Sequence, residues 1–495
     1  MTALEQENKA LKEEIFLLKA ELAQLKKLIF GAKRERFISE GNSNQGLLFE
    51  AEAVEAEPEE EVEVVSKKKK KKKAHLPFQR NTFPASLRRE KDVIEPIGVD
   101  IGKLAKIGED ITELLAYVPA DLYVKQIIRP RYVNKADEDQ GVAQANIPAR
   151  LIPKGMVDES LVAQIIVEKI LFHTPVHRFR KKLKQAGVGF ISENNLHNWL
   201  HTGAHSLLPL YHLLHQDLLA QPYNQVDETR IAVLSKNKPG ATHRGYFWVL
   251  YNPELNAAFF QYDSRRSTPA GQSILGGFSG ILQADGYSVY ETVEIKQNVH
   301  LIHCMAHARR KFVEAQNTDP PRANYFLEQA QKLYRIERQA REEKMDYAQR
   351  LQLRQQKAVP ILEELGIWLK EQYTTAGLLP TSPIGKAIAY TLKRWEGLCA
   401  YAHDGQLEID NNLVENTIRP VALGRKNFLF AGSDEAAQNL ACLYSIIGTC
   451  DKWELNAHRY LTWLLRQVAT KKATPEAIKW LPHRMDEELL NTFRD

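Results

Sequence analysis

The sequence is poor in cysteine and has no long apolar run. The four cysteines are few and scattered, and none forms a C-x-x-C pair, which argues against a disulfide scaffold and a cysteine-based zinc site. No window approaches the roughly 18 apolar residues of a membrane span. The first residues, MTALEQENKALKEEI, lack the apolar stretch of a signal peptide. We therefore expect a cytoplasmic protein with no membrane partner.

The chain also lacks a general excess of one charge. Its 67 Lys and Arg stand against 62 Asp and Glu, and the seven-lysine run at residues 67–73 accounts for the whole excess. Any nucleic-acid-binding surface must therefore be local. A hydrophobic content of 44% and a charged content of 26% are typical of globular domains. The length predicts about three such domains.

A seven-residue repeat marks the N-terminal segment. Its two apolar positions are Leu4, Leu11, Leu18 and Leu25 at d, and Asn8, Ile15, Leu22 and Ile29 at a. This pattern predicts a coiled coil over residues 1–40 through which the chain self-associates. One amphipathic helix packed on the chain's own core is the alternative, although it does not need so strict a 3.5-residue period.

Opposed charge blocks follow the repeat. Residues 41–74 combine a glutamate-rich stretch with the lysine run, which predicts a charged, disordered linker. The lysines either contact DNA phosphates or pair with the neighbouring glutamates. Residues 75–155 contain short β-prone runs broken by Pro and Gly, and this pattern predicts a small β-rich module.

Residues 156–220 have a helical pattern interrupted by a glycine turn. Gly187 and Gly189 separate two amphipathic segments, and Ser192 is placed to cap the second. Helix, turn and helix with a basic outer face predict a helix-turn-helix unit that binds DNA. A helical hairpin with a solvated basic face is the alternative. The candidate DNA contacts are Arg178, Lys181, Lys182 and Lys184.

A strand-rich pattern begins after residue 222. The predicted strands are residues 231–234, an aromatic hairpin of residues 245–251 and 257–262, a fourth strand at 279–284 and a fifth at 299–303. A basic helix is predicted at residues 306–315. Asp227 lies by the first strand and Asp285 directly follows the fourth, 58 residues later.

A third acid, Glu415, lies in a late helix predicted to end at Arg419, before Pro420. Carboxylates at strand ends, joined by one from a helix, can converge on a pair of Mg²⁺ ions, which prefer oxygen ligands. Two such ions about 4 Å apart promote in-line attack on a phosphodiester. Spacing alone does not single out this triad, since the chain has 62 acidic residues.

Residues 224–463 resemble a bacterial DDE transposase of the insertion-sequence-66 family. The matching segments are VDET around Asp227, GYFWVLY, LQADGYSVY around Asp285, HCMAHARRKF, and IDNNLVENTIRPVALGRKNFLFAGS around Glu415. Upstream, the leucine repeat with IFGAKRERF resembles the family's N-terminus. VEKILFHTPVHRFRKKLKQAGVGFISENNLHNWL resembles its helix-turn-helix region.

The resemblance implies an α+β multidomain protein with an N-terminal coiled coil, a helix-turn-helix region and an RNase H-like catalytic core. The core would comprise residues 221–315 and 406–465, with a helical insertion at 316–405 and a C-terminal tail helix at 466–495. Asp227, Asp285 and Glu415 would be catalytic and bind Mg²⁺, for which Mn²⁺ can substitute. Further phosphate-holding candidates are Arg309, Arg310, Lys311, Arg419, Arg425 and Lys426.

The implied substrate is double-stranded DNA, both transposon ends and target, in the bacterial nucleoid. Accessory proteins of the same element are candidate partners. The implied reaction cleaves the ends and joins their 3′-hydroxyls to target DNA. Two rivals remain on the residues alone, a nuclease that cleaves without joining and a non-catalytic relic that binds or bridges DNA.

One departure from the family concerns zinc. Family members commonly carry a cysteine-rich zinc module after the linker, whereas residues 75–150 contain no cysteine, so no zinc is expected. This segment either folds without metal or is a degenerate relic. His303, Cys304 and His307 also lack a fourth ligand nearby, and packing or substrate contact by His307 is the preferred interpretation.

Overall fold

The structure is a computed structural model that describes residues 122, 131–133, 142–144, 149–153, 155–236, 238, 240–296, 299–374, 378–471 and 474–494. The predicted coiled coil, the linker and most of the β-rich module lie outside these residues. Two short antiparallel strands, β1 (Arg131–Val133) and β2 (Val142–Gln144), are the described part of that module. No helix among the described residues has the length and apolar character to cross a bilayer.

Four helices precede the main sheet. They are α1 (Glu159–Ile170), α2 (Val176–Gln185), α3 (Glu193–Ser206) and α4 (Leu208–Leu219). Ser192 caps α3 as predicted, since its hydroxyl accepts the Asn195 N–H at 3.2 Å. Gly187 makes the turn after α2 with a φ of +85°, a left-handed conformation that side chains disfavour. The apolar sides of α1, α2 and α3 pack together.

One five-stranded mixed sheet forms the centre of the chain. Its strands are β3 (Tyr223–Leu234), β4 (Thr242–Asn252), β5 (Ala257–Asp263), β6 (Gly280–Ala284) and β7 (Val299–His303). The order is β5-β4-β3-β6-β7. The first three pair antiparallel, whereas β6 and β7 run parallel to β3. Helices α5 (Thr268–Ile274) and α6 (Ser288–Lys296) lie in the connections on either side of β6.

The predicted aromatic hairpin is therefore confirmed, while the first strand is longer than predicted. It begins at Tyr223 because the polar side chains of Asn224 and Gln225, both 0% exposed, satisfy their hydrogen bonds inside the protein. A pattern based on apolar residues starts only at Ile231.

Helices make up the described residues that follow β7, with 3₁₀ turns between some of them. The first five are α7 (Met305–Ala315), α8 (Pro320–Glu342), α9 (Tyr347–Thr374), α10 (Pro383–Lys393) and α11 (Trp395–Cys399). The last four are α12 (Asn412–Phe428), α13 (Asp434–Lys452), α14 (Ala457–Thr470) and α15 (Glu487–Asn491).

Two predictions about the last helices are wrong. Helix α12 does not end before Pro420 but continues to Phe428. The proline leaves only the Asn416 carbonyl without its helical donor, and because Asn416 is exposed, water can replace that bond. Residues 466–495 do not form one tail helix, since α14 ends at Thr470 and 3₁₀ turns precede the short α15.

Two hydrophobic cores hold these elements. The first is continuous from α1–α4 through the sheet to α12, α13, α14 and the C-terminal residues. The second joins α7 to helices α8–α11 and reaches the sheet at Tyr223 and Ile302. In this second core Glu337 pairs with Arg354 at 2.8 Å and with Arg350 at 3.1 Å. The side chains of Glu337 and Arg354 are 1% and 0% exposed.

Candidate active site

Asp227 on β3 and Asp285, directly after β6, belong to neighbouring parallel strands and their ends. In the pairing of β3 with β6, each residue of β3 lies opposite the residue 58 positions later in the chain. The last such pair is Gln225 and Gln283. Asp227 and Asp285 follow that pair by two residues each. Side chains two apart project from the same face of a strand, and neighbouring strands lie about 4.8 Å apart. The register therefore brings the two carboxylates together where β6 ends.

Helix α12 lies along β3 and carries Glu415 to the same face. At its start the Val414 N–H donates to Gln225 Oε1 at 3.2 Å. Near its end Arg425 donates to Thr229 Oγ1 at 3.1 Å and to the Arg230 carbonyl. Gln225 and Thr229 flank Asp227 on one face of the strand. Glu415, which follows Val414 in the helix, therefore lies close to Asp227.

A buried amide network fixes this arrangement. Gln283 Oε1 accepts from the Tyr223 hydroxyl at 2.5 Å and from Gln225 Nε2 at 2.8 Å. Gln283 Nε2 donates to the Glu408 carbonyl at 2.8 Å, and Gln225 Nε2 also donates to the Asp410 carbonyl at 3.0 Å. Both glutamines are 0% exposed, where an unmade hydrogen bond is costly. The network thereby ties β3 and β6 to the segment that leads into α12.

The electrostatics agree with close approach of the three acids. Burial raises the pKa of Asp227 well above its usual value, and the negative charges of Glu228, Asp285 and Glu415 raise it further. Asp227 Oδ1 accepts the Glu228 N–H at 2.7 Å, which only partly offsets this. Repulsion of this kind among partly buried carboxylates is relieved by a bound cation.

Contacts from the second core surround the loop after β6. Asp285 Oδ1 accepts the Tyr287 N–H at 2.9 Å. Arg394, at the end of α10, donates to the Gly286 carbonyl at 3.0 Å. A Cβ at Gly286 would lie only 2.7 Å from Arg394 Nε and from the Tyr390 hydroxyl. A glycine is thus required where the helical segment after residue 316 presses on the Asp285 loop.

Glu228, the neighbour of Asp227, belongs to a different environment. Its side chain is 3% exposed, accepts from the Tyr290 hydroxyl at 2.6 Å and forms an ion pair with Arg266. Burial raises the pKa of Glu228. Since successive side chains of a strand point to opposite faces, Glu228 supports the sheet from behind rather than joining the three acids.

Asp410 serves the local structure at the start of α12. Its Oδ1 accepts the Asn412 N–H at 3.0 Å, and its Oδ2 accepts from the Tyr334 hydroxyl at 2.7 Å. Both carboxylate oxygens are therefore engaged in holding the start of α12 in place.

A sulfur and an imidazole adjoin the third acid. One ligand atom each of Cys304, His307 and Glu415 lie within 4.8 Å of one another, and His307 Nδ1 is 3.8 Å from Glu415 Oε1. Glu415, far away in sequence, thus takes the place of His303 in a group of three, and a fourth protein ligand is still lacking among the described residues. His303 is not part of this group. Burial and the charge of Arg394 lower the pKa of His303 to about 4.

Most of the basic residues predicted to bind DNA are exposed. The exposed ones are Arg178, Lys181, Lys182, Lys184, Arg310, Arg419 and Lys426, and the partly buried ones are Arg309, Lys311 and Arg425. Lys182 pairs with Glu168 at 2.8 Å. Arg425 is engaged by β3, as described above, so it anchors α12. Arg419 and Lys426 lie four and eleven residues after Glu415, on the same side of α12.

The donor set of the three acids fits magnesium. Their ligand atoms are carboxylate oxygens, which Mg²⁺ prefers, and partial exposure of all three side chains leaves room for the several waters that this ion retains. Burial, and then the negative charges of the neighbouring acids, raise the pKa of Asp227, and such an ion would neutralise those charges.

Several supporting residues could not be found from sequence patterns. Gln225 and Gln283 follow no motif of their own. The signal that could have found them is that each precedes an aspartate by two residues, in NQVDET and LQADGY. Tyr223, Tyr334 and Arg394 become relevant only through contacts with residues far away in sequence.

Comparisons with known proteins agree with these observations. Residues 154–439 match the family described as Transposase IS66 family, and residues 17–91 match one described as Transposase C of IS166 homeodomain. The chain is 31% identical over 501 residues to uncharacterized protein y4jD of Sinorhizobium fredii, covering 97% of this chain and 96% of that one. It is 31% identical over 477 residues to y4qI of the same organism, covering 92% and 86%.

Proposed function

The chain belongs to the Transposase IS66 family, and on this premise we propose that it cleaves the ends of an insertion sequence and joins them to target DNA. The family predicted from the sequence is thereby confirmed. The chemistry, its residues and its metal are our proposal.

The observation that carries the proposal is the β3–β6 register. It sets Asp227 beside Asp285, while the bond from Val414 to Gln225 brings the helix of Glu415 to the same face. Three antiparallel strands followed by two parallel ones, with an acid on the first and another after the fourth, also support an RNase H-like core. Helices α8–α11 would then be an insertion between the second and third acids.

The protein's own residues would hold the reacting groups. Asp227, Asp285 and Glu415 would hold two Mg²⁺ ions. Magnesium would activate the attacking oxygen, first of water and then of the 3′-hydroxyl, and stabilise the leaving oxygen of the scissile phosphodiester. The amide network holds β3, β6 and α12 in register throughout, so the carboxylates need not reorganise between the two steps.

Two basic surfaces support DNA binding. The outer face of α2 exposes Arg178, Lys181 and Lys184, and the packing of α1–α3 is compatible with a helix-turn-helix unit. On α12, Arg419 and Lys426 extend from the proposed active site along a helix of 17 residues, about 25 Å long. These cations would neutralise backbone phosphates. Self-association through residues 1–40 remains a proposal from the heptad pattern.

The test is a cleavage and joining assay with labelled end DNA in Mg²⁺ or Mn²⁺. Wild type is compared with Asp285→Asn and with Asp263→Asn, a matched control at the partly exposed end of β5. We expect joined products from wild type and the control, whereas Asp285→Asn binds the same DNA but cleaves at least a hundredfold more slowly.

Each outcome assigns a function. Full activity of Asp285→Asn would refute the assignment of this acid. Cleavage without joining would identify a nuclease. Binding without either product, also in the presence of the element's other proteins, would identify a non-catalytic DNA-binding protein.

A further inference from the structure

Cys304, His307 and Glu415 form a group that the proposed magnesium site does not use in full. Their ligand atoms lie within 4.8 Å of one another, and thiolate, imidazole and carboxylate together suit Zn²⁺ rather than Mg²⁺. We propose that they form a second cation site for Zn²⁺ or another thiophilic divalent ion, and that an ion bound there withdraws Glu415 from magnesium. The effect on Glu415 and magnesium rests on the proposed function, whereas the zinc site itself does not.

The fold brings the three ligands together at the junction of β7 and α7. Cys304 directly follows β7 and is the N-cap of α7. His307 comes one helical turn later, so both side chains lie at the same helix end. The Met305 N–H donates to the Ile409 carbonyl at 3.1 Å and the Asn411 N–H to Cys304 Sγ at 3.4 Å. These bonds fix the start of α12, and hence Glu415, against the junction.

The nitrogen and sulfur are suited to bind a metal. His307 Nδ1 is buried and makes no hydrogen bond within the described part of the chain. A neutral imidazole ring has a lone pair on one nitrogen, with which it binds a metal ion. The Asn411 N–H and the positive end of α7 favour a thiolate at Cys304. Binding of the ion would release the thiol proton.

The geometry leaves one coordination position open. Cys304 is 1% exposed, whereas the side chains of His307 and Glu415 are 20% and 32% exposed. Three protein ligands and one solvent position match zinc sites with an open position. Tetrahedral zinc separates its ligand atoms by roughly 3.5 Å, so the group must contract by roughly 1 Å. The partly exposed side chain of Glu415 can supply this movement.

A bound zinc ion would act on the magnesium site through the shared carboxylate. Zinc forms stronger complexes than magnesium with nitrogen and sulfur ligands. When Glu415 turns toward Cys304 and His307, Asp227 and Asp285 lose their third partner. We therefore expect thiophilic ions to weaken binding of Mg²⁺ or Mn²⁺ at the three acids.

The first test uses Co²⁺ as a spectroscopic probe on the full chain. We expect a thiolate-to-cobalt charge-transfer band that saturates at one ion per chain and disappears when Zn²⁺ is added. Cys304→Ser should abolish the band, whereas Cys442→Ser, which removes an equally buried thiol, should retain it. If Cys304→Ser does not fold, His307→Gln should weaken cobalt binding at least tenfold. A wild-type protein without the band overturns the site.

The second test measures the competition without DNA. Bound Mn²⁺ is followed by electron paramagnetic resonance while Zn²⁺ is added. Cys304→Ser should require at least tenfold more Zn²⁺ than wild type or Cys442→Ser to release one Mn²⁺. Equal zinc dependence in all three proteins overturns the competition. A lack of DNA cleavage would contradict only the proposed function, since neither readout depends on it.

Discussion

Replacing Gln283 by leucine tests whether the buried amide network positions the three acids. Leucine has a similar volume, so the change removes hydrogen bonds without opening a cavity. The Tyr223 hydroxyl loses its acceptor and the Glu408 carbonyl loses its donor, at 2.5 Å and 2.8 Å respectively. Gln225 keeps the Asp410 carbonyl and the Tyr223 hydroxyl as acceptors. The hydrogen of the buried Tyr223 hydroxyl and the part-buried Glu408 carbonyl are therefore left without a partner.

Each unpaired buried group costs about 1–3 kcal/mol, so the free energy of unfolding should fall by about 2–6 kcal/mol. Urea unfolding followed by circular dichroism measures this loss. The matched control is Gln261→Leu, because Gln261 makes one exposed hydrogen bond, to the Ser273 hydroxyl at 2.9 Å. Its unfolding free energy should change by less than about 0.5 kcal/mol.

The same variant separates positioning from stability. At temperatures where Gln283→Leu remains folded, half-maximal cleavage should require severalfold more Mg²⁺, while the affinity for DNA stays unchanged. A loss of stability with an unaltered magnesium requirement would show that the network only holds the fold. A stability equal to that of Gln261→Leu would refute the reasoning altogether.

Three further predictions concern charge. Asp227→Asn should stabilise the metal-free protein by on the order of 1 kcal/mol, because it removes repulsion among the acids; thermal unfolding without metal measures this, and a destabilised variant would contradict it. Burial raises the pKa of Glu337, but hydrogen bonds and charge from Arg354 outweigh this and lower the net pKa. The wild type therefore loses this stabilisation as the pH falls below the usual value of about 4.5. Glu337→Gln should lower the free energy of unfolding by about 3–5 kcal/mol at neutral pH. In urea unfolding, the variant should also lose less stability than the wild type as the pH falls; an equal loss in both proteins would show that the ion pair does not cause the acid dependence. Lys181→Ala should lower the salt dependence of DNA binding by about one unit in a log–log plot, whereas Lys386→Ala, an exposed lysine of α10, should leave it unchanged; equal slopes would exclude a phosphate contact.

Local sequence patterns predicted which helices and strands form better than they predicted where these begin and end. The aromatic hairpin is formed by adjacent alternating runs, and its turn lies between them, so short-range information was sufficient. Pro420 misled the prediction for α12, because whether a helix tolerates proline depends on solvent at the freed carbonyl. The start of β3 was missed because its buried residues are polar and are satisfied only by distant partners.

The candidate site was predictable only as a set of residues. Asp227, Asp285 and Glu415 were selected by resemblance, since spacing did not distinguish them from other acids. Their proximity depends on the register of β3 with β6, which no local pattern encodes. The group of Cys304, His307 and Glu415 was missed for the same reason, because its third ligand lies 108 residues beyond the second.

The first core is continuous, so it holds helices α1–α4 at a fixed distance from the sheet. Helix α1 packs on α14 and α3 packs on α13. Surface contacts join the same helices, between Asp158 and Arg466 at 3.1 Å and between His201 and Glu435 at 2.8 Å. No flexible tether separates the helices proposed to contact DNA from the sheet with the acids. If the proposed function is correct, packed side chains fix the number of base pairs between the DNA sequence that these helices bind and the bond that the acids cut.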